Sequence, residues 1–288
     1  ISFGVESGSE RIRKALKKHT TGDQVRRAFA LTRSYGIMAR AYFIYGNPGE
    51  TEETIQETLD LIADIQPLSV IFYILDLFPG TALYEDCLQR SGLDDTIWLQ
   101  RIEDIMYWET DPELSREQVL GFGERLRSGF YAMLPEFARD IDLVDEPEFR
   151  PYHADFLSRL ALTFAHGDYA EAEAIPEKEE TAEALFRRSL TYGPDHRAYL
   201  GLGMLLQKSR SYRESMAPLL EGMKAFPQSG DMASCLAVSH MNLGEFREAL
   251  KILMPFVGSP AVVPYIVQCY QALGEHEKAR ELARKATS

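Results

Sequence analysis

Ile1-Ser2-Phe3-Gly4-Val5-Glu6-Ser7-Gly8-Ser9 is the stretch on which the fold turns. Ile1, Phe3 and Val5 alternate with Ser2, Gly4 and Glu6, which predicts a buried strand whose last residue is a carboxylate. Ser7-Gly8-Ser9 predicts a turn, with Ser9 capping a helix from Glu10 to Leu16. A carboxylate at the C-terminal end of a buried parallel strand sits where α/β proteins keep their ligands. A plain strand end beside a helix cap uses the same residues.

Outward from that turn the pattern repeats. Thr21 or Asp23 is placed to cap a second helix, with Val25, Ala28, Phe29, Leu31 and Thr32 at helical spacing up to Tyr35, and Gly36 stops it. Ile37 to Tyr45 reads as a strand, leaving through Gly46-Asn47-Pro48-Gly49-Glu50, a turn forced by Gly and Pro. Thr51 caps a helix with Ile55, Leu59, Ile62 and Ile65 on its buried face, and Pro67 ends it. Leu68 to Leu75 is a third apolar strand, left through Phe78-Pro79-Gly80-Thr81 into a helix from Ala82 to about Arg90. Short loops between β, α, β, α, β and α elements predict a parallel sheet with all three strand exits on one edge. Glycine at each exit suits close approach of a ligand to the backbone, and suits short loops equally.

The net charge of −13 is uneven. Residues 94–148 hold fifteen acidic side chains against five basic ones, while 152–288 are nearly balanced, so bulk electrostatics argue against broad nucleic-acid binding. Arg11, Arg13, Lys14, Lys17 and Lys18 are the local exception, a solvated helix face or an anion site. No run approaches the ~20 apolar residues of a membrane helix. Cys87, Cys235 and Cys269 are too scattered for a disulfide framework or a metal knuckle, and a reducing, cytoplasmic setting fits them. Because Ile1 falls inside a core strand, the chain is expected to be a fragment of a longer protein.

Three spaced motifs together resemble the radical S-adenosylmethionine (radical SAM) superfamily, nearest its cobalamin-associated and tRNA-methylthiotransferase-like branches. They are Gly4-Val5-Glu6-Ser7-Gly8-Ser9 followed by Lys18, then Tyr45-Gly46-Asn47-Pro48-Gly49-Glu50-Thr51, then Phe78-Pro79-Gly80-Thr81-Ala82-Leu83-Tyr84. The resemblance covers about residues 1–140. It implies a partial (β/α) barrel, of which residues 1–92 hold the last three strands, with 93–150 a helical extension and linker. It implies S-adenosylmethionine as cofactor, with Glu6 in contact with it and Lys18 facing its methionine carboxylate. Ile44 corresponds to a position packing on adenine, and Ser7, Gly46 and Pro48 belong to the same pocket. A 4Fe–4S cluster is implied too, with ligands upstream of this chain, and cobalamin is compatible. The family's Cys-x-x-x-Cys-x-x-Cys is absent here and the three cysteines cannot replace it, so the fragment alone is expected to be inert. An acidic residue that reaches the ribose in some relatives is matched here only by Tyr42.

Ile97, Trp98, Ile102, Ile105, Met106, Tyr107 and Trp108 are apolar anchors in the acidic stretch. Ser115 caps a helix burying Val119, Leu120, Phe122, Leu126, Phe130 and Tyr131. Beyond Tyr152 only helices and a period remain. Ala182, Ser215, Ala249 and Ala279 are 33, 34 and 30 residues apart. Phe186, Leu219, Leu253 and Ala283 stand four residues after each. Gly244 and Gly274 turn between paired helices. This resembles tetratricopeptide (TPR) repeats over 151–288, with the first unit interrupted by Glu171 to Glu180. An α/β plus all-α chain of this kind implies a groove for a protein or peptide partner, while the substrate stays open. His196, His240 and His276 show no metal-ligand spacing. A non-catalytic repeat scaffold carrying a barrel remnant is the alternative.

Overall fold

A computed structural model describes residues 1–286 apart from Leu93, Gln100 and Ile102, and of Ala286 the backbone only. Ile102, expected as an anchor, and the boundary at residue 93 therefore lie outside the described residues. The chain divides into two units, residues 1–144 with 174–176, and 145–173 with 177–288.

The first unit holds a three-stranded parallel sheet in the order β1 (Ser2–Glu6), β2 (Arg40–Tyr45), β3 (Ser69–Ile74). Around it run α1 (Glu10–Ala15), α2 (Gly22–Ser34), α3 (Glu52–Ile65), α4 (Ala82–Ser91) and α5 (Arg116–Arg139). Alternation decides which face is covered. Val5, Ala41, Phe43 and Tyr45 are buried, and Phe3 meets Phe29 of α2 at 5.1 Å between ring centroids. On α5, Gly123 lies so close to Tyr45 that a methyl group there would sit 2.5 Å from the phenol oxygen. Ser2, Gly4 and Arg40 are exposed, Tyr42 and Ile44 half-buried, and Tyr73 is exposed. The strands are thus buried on the face that α2 and α5 cover and more open on the other.

Capping follows the local chemistry. Thr21 and Thr51 accept from the backbone N–H three residues on and close capping boxes, as does Ser115. Ser9 does not cap α1. It holds the cap position without a side-chain bond, and its own N–H donates to Ser7 Oγ at 3.1 Å. After β3 the chain continues as a short antiparallel bridge of Asp76 to Met106, flanked by Tyr107 N–H on the Leu75 carbonyl and Leu77 N–H on the Ile105 carbonyl. Ile105 and Tyr107 are buried as expected.

The second unit is a helical-repeat region. It comprises α6 (Arg150–Ala165), α7 (Asp168–Glu171), α8 (Lys178–Tyr192), α9 (His196–Lys208), α10 (Tyr212–Ala225), α11 (Gly230–Asn242), α12 (Phe246–Leu253), α13 (Val263–Ala272) and α14 (His276–Ala286). Helices pair as α6 with α8, α9 with α10, α11 with α12 and α13 with α14, and α10 packs on α11 as extensively as α13 on α14. Ala182, Ser215, Ala249 and Ala279 are all buried at these contacts, as are Phe186, Leu219 and Leu253. Phe186 fills the space left by Gly201, and Leu219 that left by Gly203, where an added methyl would lie 2.3 and 2.6 Å from them. The fourth equivalent, Ala283, is exposed, on α14, the last helix described. Residues 166–177 interrupt the first pair without breaking it. Lys178 Nζ ties the Ala170 and Ala172 carbonyls, and Ser189 Oγ bonds to the Ala154 carbonyl across α8 and α6.

Candidate functional site

At the exit of β1 the backbone does something few residues do. Ser7 N–H donates to the Val5 carbonyl at 2.9 Å and closes a three-residue γ-turn centred on Glu6, whose φ is +68°. A γ-turn of that sign is rare and strained, and the left-handed region costs a side-chain-bearing residue about 1–2 kcal/mol. The strand register shifts at the same point. Such strain persists only where the surroundings over-determine it, and here they do. Arg13, itself buried, donates to the Ser7 and Gly8 carbonyls at 2.7 and 2.8 Å. Burial pushes its guanidinium below the usual arginine value. Thr58 Oγ1 accepts from Gly8 N–H at 3.0 Å.

The result is that Glu6 reaches across to Lys18. Their side chains form an ion pair at 3.0 Å, with Lys18 33% and Glu6 19% exposed. Lys18 is placed by the end of α1. Lys17 N–H bonds to the Lys14 carbonyl and Lys18 N–H to the Arg13 carbonyl, a Schellman ending with Lys17 left-handed at φ +55°. Gly4 makes the room, because a Cβ there would lie 2.5 Å from Glu6 Oε1 and 3.2 Å from Lys18 Nζ. A carboxylate and an ammonium side by side on a half-open face can grip a zwitterion, each taking the opposite charge.

The second exit is built around Glu50. Its buried carboxylate accepts from the N–H groups of Gly46 and Asn47 and, at 3.0 Å, from Asn47 Nδ2. Burial raises its pKa, and the Asn47 and Gly46 hydrogen bonds pull against that. This clamp gives the Gly46-Asn47-Pro48-Gly49 turn its shape, and Arg11 adds a 2.8 Å bond to the Gly49 carbonyl. Pro48 and Ile44 then face a cavity of about 750 Å³ at the ends of β2 and β3.

The six residues expected from the sequence therefore separate. Glu6 and Lys18 meet, and Ile44 and Pro48 share the cavity. The Ser7 side chain is turned away from that edge: it is buried, accepts from Ser9 N–H and lies 3.4 Å from Thr58 Oγ1. Gly46 is spent on the turn and on α5, with φ +77° and Val119 3.1 Å from where its Cβ would be. Gly8 is likewise a packing glycine, with no room for a Cβ against the backbone of Glu57 and Thr58. Within the basic run Arg11, Arg13, Lys14 and Lys18 have internal partners, while Lys17 is exposed at the cavity. Arg13, Thr58 and Glu50 were missed. Thr58 acts on backbone fifty residues away, which only the fold brings near, while Arg13 and Glu50 act on the turns just before them, where a basic run and a Gly-Pro turn hid their roles.

A cluster would need three converging thiolates. Cys87 lies in the first unit, Cys235 and Cys269 in the second, all buried, and burial pushes the Cys235 and Cys269 thiols up to about 12 and about 11. They do not fit a 4Fe–4S cluster. Among the described residues no group of His, Cys, Asp and Glu is arranged to hold a metal ion, and no helix is long and apolar enough to cross a membrane.

Within the first unit, residues 1–62 match the profile of the radical SAM superfamily. An uncharacterised protein of Methanocaldococcus jannaschii is 41% identical over 66 residues, 23% of this chain and 13% of that protein. A tRNA-2-methylthio-N(6)-dimethylallyladenosine synthase of Paracoccus denitrificans is 37% identical over 120 residues, 41% of this chain and 26% of the synthase. An anaerobic magnesium-protoporphyrin IX monomethyl ester cyclase of Rubrivivax gelatinosus is 30% identical over 86 residues, 30% of this chain and 16% of the cyclase. The chain thus spans about a quarter or less of the length of these relatives. Among solved structures, MamA AMB-1 covers 57% of this chain and 91% of its own at 22% identity, with a TM-score of 0.38. A superposition that loose does not define the second unit, whose repeat character rests on its helix pairs.

Proposed function

We propose that this chain supplies the S-adenosylmethionine-binding half of a radical SAM core, joined to TPR-like repeats that recruit a protein partner. The observation that carries this is the Glu6–Lys18 pair over Gly4, inside the segment the family profile matches. Glu6 takes the ammonium of the methionine moiety and Lys18 its carboxylate, and Ile44 and Pro48 offer an apolar wall to the adenine. Bound S-adenosylmethionine supplies a sulfonium whose cleavage starts radical chemistry. The cluster's ligands are not among the described residues, so no step through a cluster is assigned to this chain. The intact protein is an enzyme on an unknown substrate, built on a partial barrel of which 1–92 is the last part, and its setting is cytoplasmic. Cobalamin has no residue here to argue for it.

Calorimetry with S-adenosylmethionine tests the site. Lys18→Ala is expected to weaken binding about tenfold, the loss of one charge-assisted contact. Unchanged affinity removes Lys18 from the site. If the unsubstituted chain binds no S-adenosylmethionine, the repeats acting as a non-catalytic scaffold become the better account.

A further inference from the structure

The cavity at the ends of β2 and β3 holds a carboxylate that the S-adenosylmethionine site does not use. Leu16, Ile44, Ile74, Tyr73 and Phe78 make its walls mostly apolar. Asp76 projects from the bridge between Leu75 and Leu77, both of which are buried, so its side chain falls on the opposite side, toward the cavity. It is half-buried, and among the described residues its carboxylate has no hydrogen-bond or ion-pair partner. Burial raises its pKa, and repulsion from Asp104 raises it further. The other charged groups around it are at the rim. Asp86 is exposed and held by Arg90 at 2.8 Å, and Lys17 is exposed. Of the two carboxylates that line the cavity, Asp86 is neutralised by Arg90 and Asp76 is not paired.

We propose that this cavity binds an apolar-bodied organic cation, with Asp76 as its counter-ion. A cation answers both penalties Asp76 carries, desolvation and the like charge of Asp104, whereas a neutral donor answers only the missing hydrogen bond. A ligand of this kind suits a site that is apolar over most of its wall with one polar group to fix orientation. An anion would meet Asp76 in the wall and the like charge of Asp104 behind it. The proposal shares Ile44 and Pro48 with the S-adenosylmethionine site but does not rest on it.

The test uses the full chain and two probes of one shape, tryptamine and its neutral counterpart tryptophol. Binding is followed by ligand-observed NMR. Tryptamine is expected to bind about tenfold more tightly than tryptophol at neutral pH, one unit of log affinity for one partly desolvated charge pair. Asp76→Asn should abolish that preference while leaving tryptophol binding intact, which also shows the cavity has kept its shape. Asp86→Asn, at the rim, should preserve it. Acidification that protonates Asp76 should erase the preference. Equal binding of the two probes, a preference that survives Asp76→Asn, or no binding of either at millimolar concentration each overturns the proposal. Lys18→Ala, which tests the S-adenosylmethionine site, should leave the tryptamine preference unchanged.

Discussion

The two units spend glycine in the same way but against different neighbours. In the helical repeats, Gly201 and Gly203 admit the side chains of Phe186 and Leu219. At the β1 exit, Gly8 admits the backbone of α3, with Glu57 O and Thr58 Cα both 2.3 Å from where a Cβ would stand. A side chain can rotate away and a helix backbone cannot. The contact at Gly8 therefore fixes the position of the Glu6 turn relative to α3, while the contacts in the repeats fix only how tightly helices pack. One unit is rigid at a point, the other regular along its length.

The largest expected effect follows from this. Gly8→Ala should destabilise the first unit by about 3 kcal/mol, the upper range for overpacking where nothing can shift. Gly203→Ala should cost the second unit about 1 kcal/mol, because Leu219 can move and alanine improves helix propensity. Chemical denaturation of each variant, read by probes in each unit, checks the ranking. Equal costs would mean the backbone contact at Gly8 yields as easily as a leucine.

Next in size is Glu6. Its left-handed φ makes it a residue that stability alone would replace by glycine. Glu6→Gly is expected to raise the stability of the first unit by about 1 kcal/mol while abolishing measurable S-adenosylmethionine binding. A variant that loses both would show the Glu6–Lys18 pair to be structural. A variant that keeps binding would show it to be neither.

Legibility in the sequence divides along the same line. The repeats were readable because their rule is periodic. Ala182, Ser215, Ala249 and Ala279 announce a helix contact by spacing alone, and all four are buried. The strands, the turns and three of the helix caps were readable because capping and turn chemistry act over three or four residues. Of the candidate site, only the half-buried Glu6–Lys18 pair stood out. Glu6 and Lys18 stand out as charges beside a turn, but Arg13 looks like any member of a basic run until Ser7 and Gly8 are folded over it. Ser7 looked like a ligand contact because nothing local says that Thr58 will lie beneath it. Asp76 gave no signal because its meaning depends on Asp104, twenty-eight residues on and joined to it through a bridge between non-adjacent segments.

Charge buried at the second exit gives a smaller, pH-dependent contrast. Glu50 has a folded-state pKa above its usual value, so its contribution is fully present below the ordinary glutamate range and is lost as pH rises through the raised value. In the repeats, Asp155 is shifted the other way, first by its bond to Arg159, so its contribution is present above the usual aspartate range and lost as pH falls through the lowered value. Glu50→Gln should therefore flatten the loss of first-unit stability on going from acid toward neutral pH. The second unit's profile should not move. Thermal unfolding across that range measures both, and a first-unit profile unchanged by Glu50→Gln would show that its buried carboxyl does not titrate as described.

The smallest effect separates strain that serves a site from strain that serves nothing. The helices α2, α11 and α13 end in the same Schellman bonding, with Gly36, Gly244 and Gly274 as the left-handed residue. At the end of α9 the same bonds form, Arg210 N–H to the Gln207 carbonyl and Ser211 N–H to the Leu206 carbonyl, but the left-handed residue at φ +60° is arginine. Lys17 is its counterpart at the end of α1. Arg210→Gly should stabilise the second unit by about 0.5–1 kcal/mol, the relief of the side-chain penalty less the added freedom of the unfolded chain. Lys17→Gly should give a similar gain in the first unit without weakening S-adenosylmethionine binding, since the backbone bonds that place Lys18 are kept. If Lys17→Gly instead weakens binding, the side chain at 17 belongs to the site, and the strain there serves binding, unlike that at Arg210.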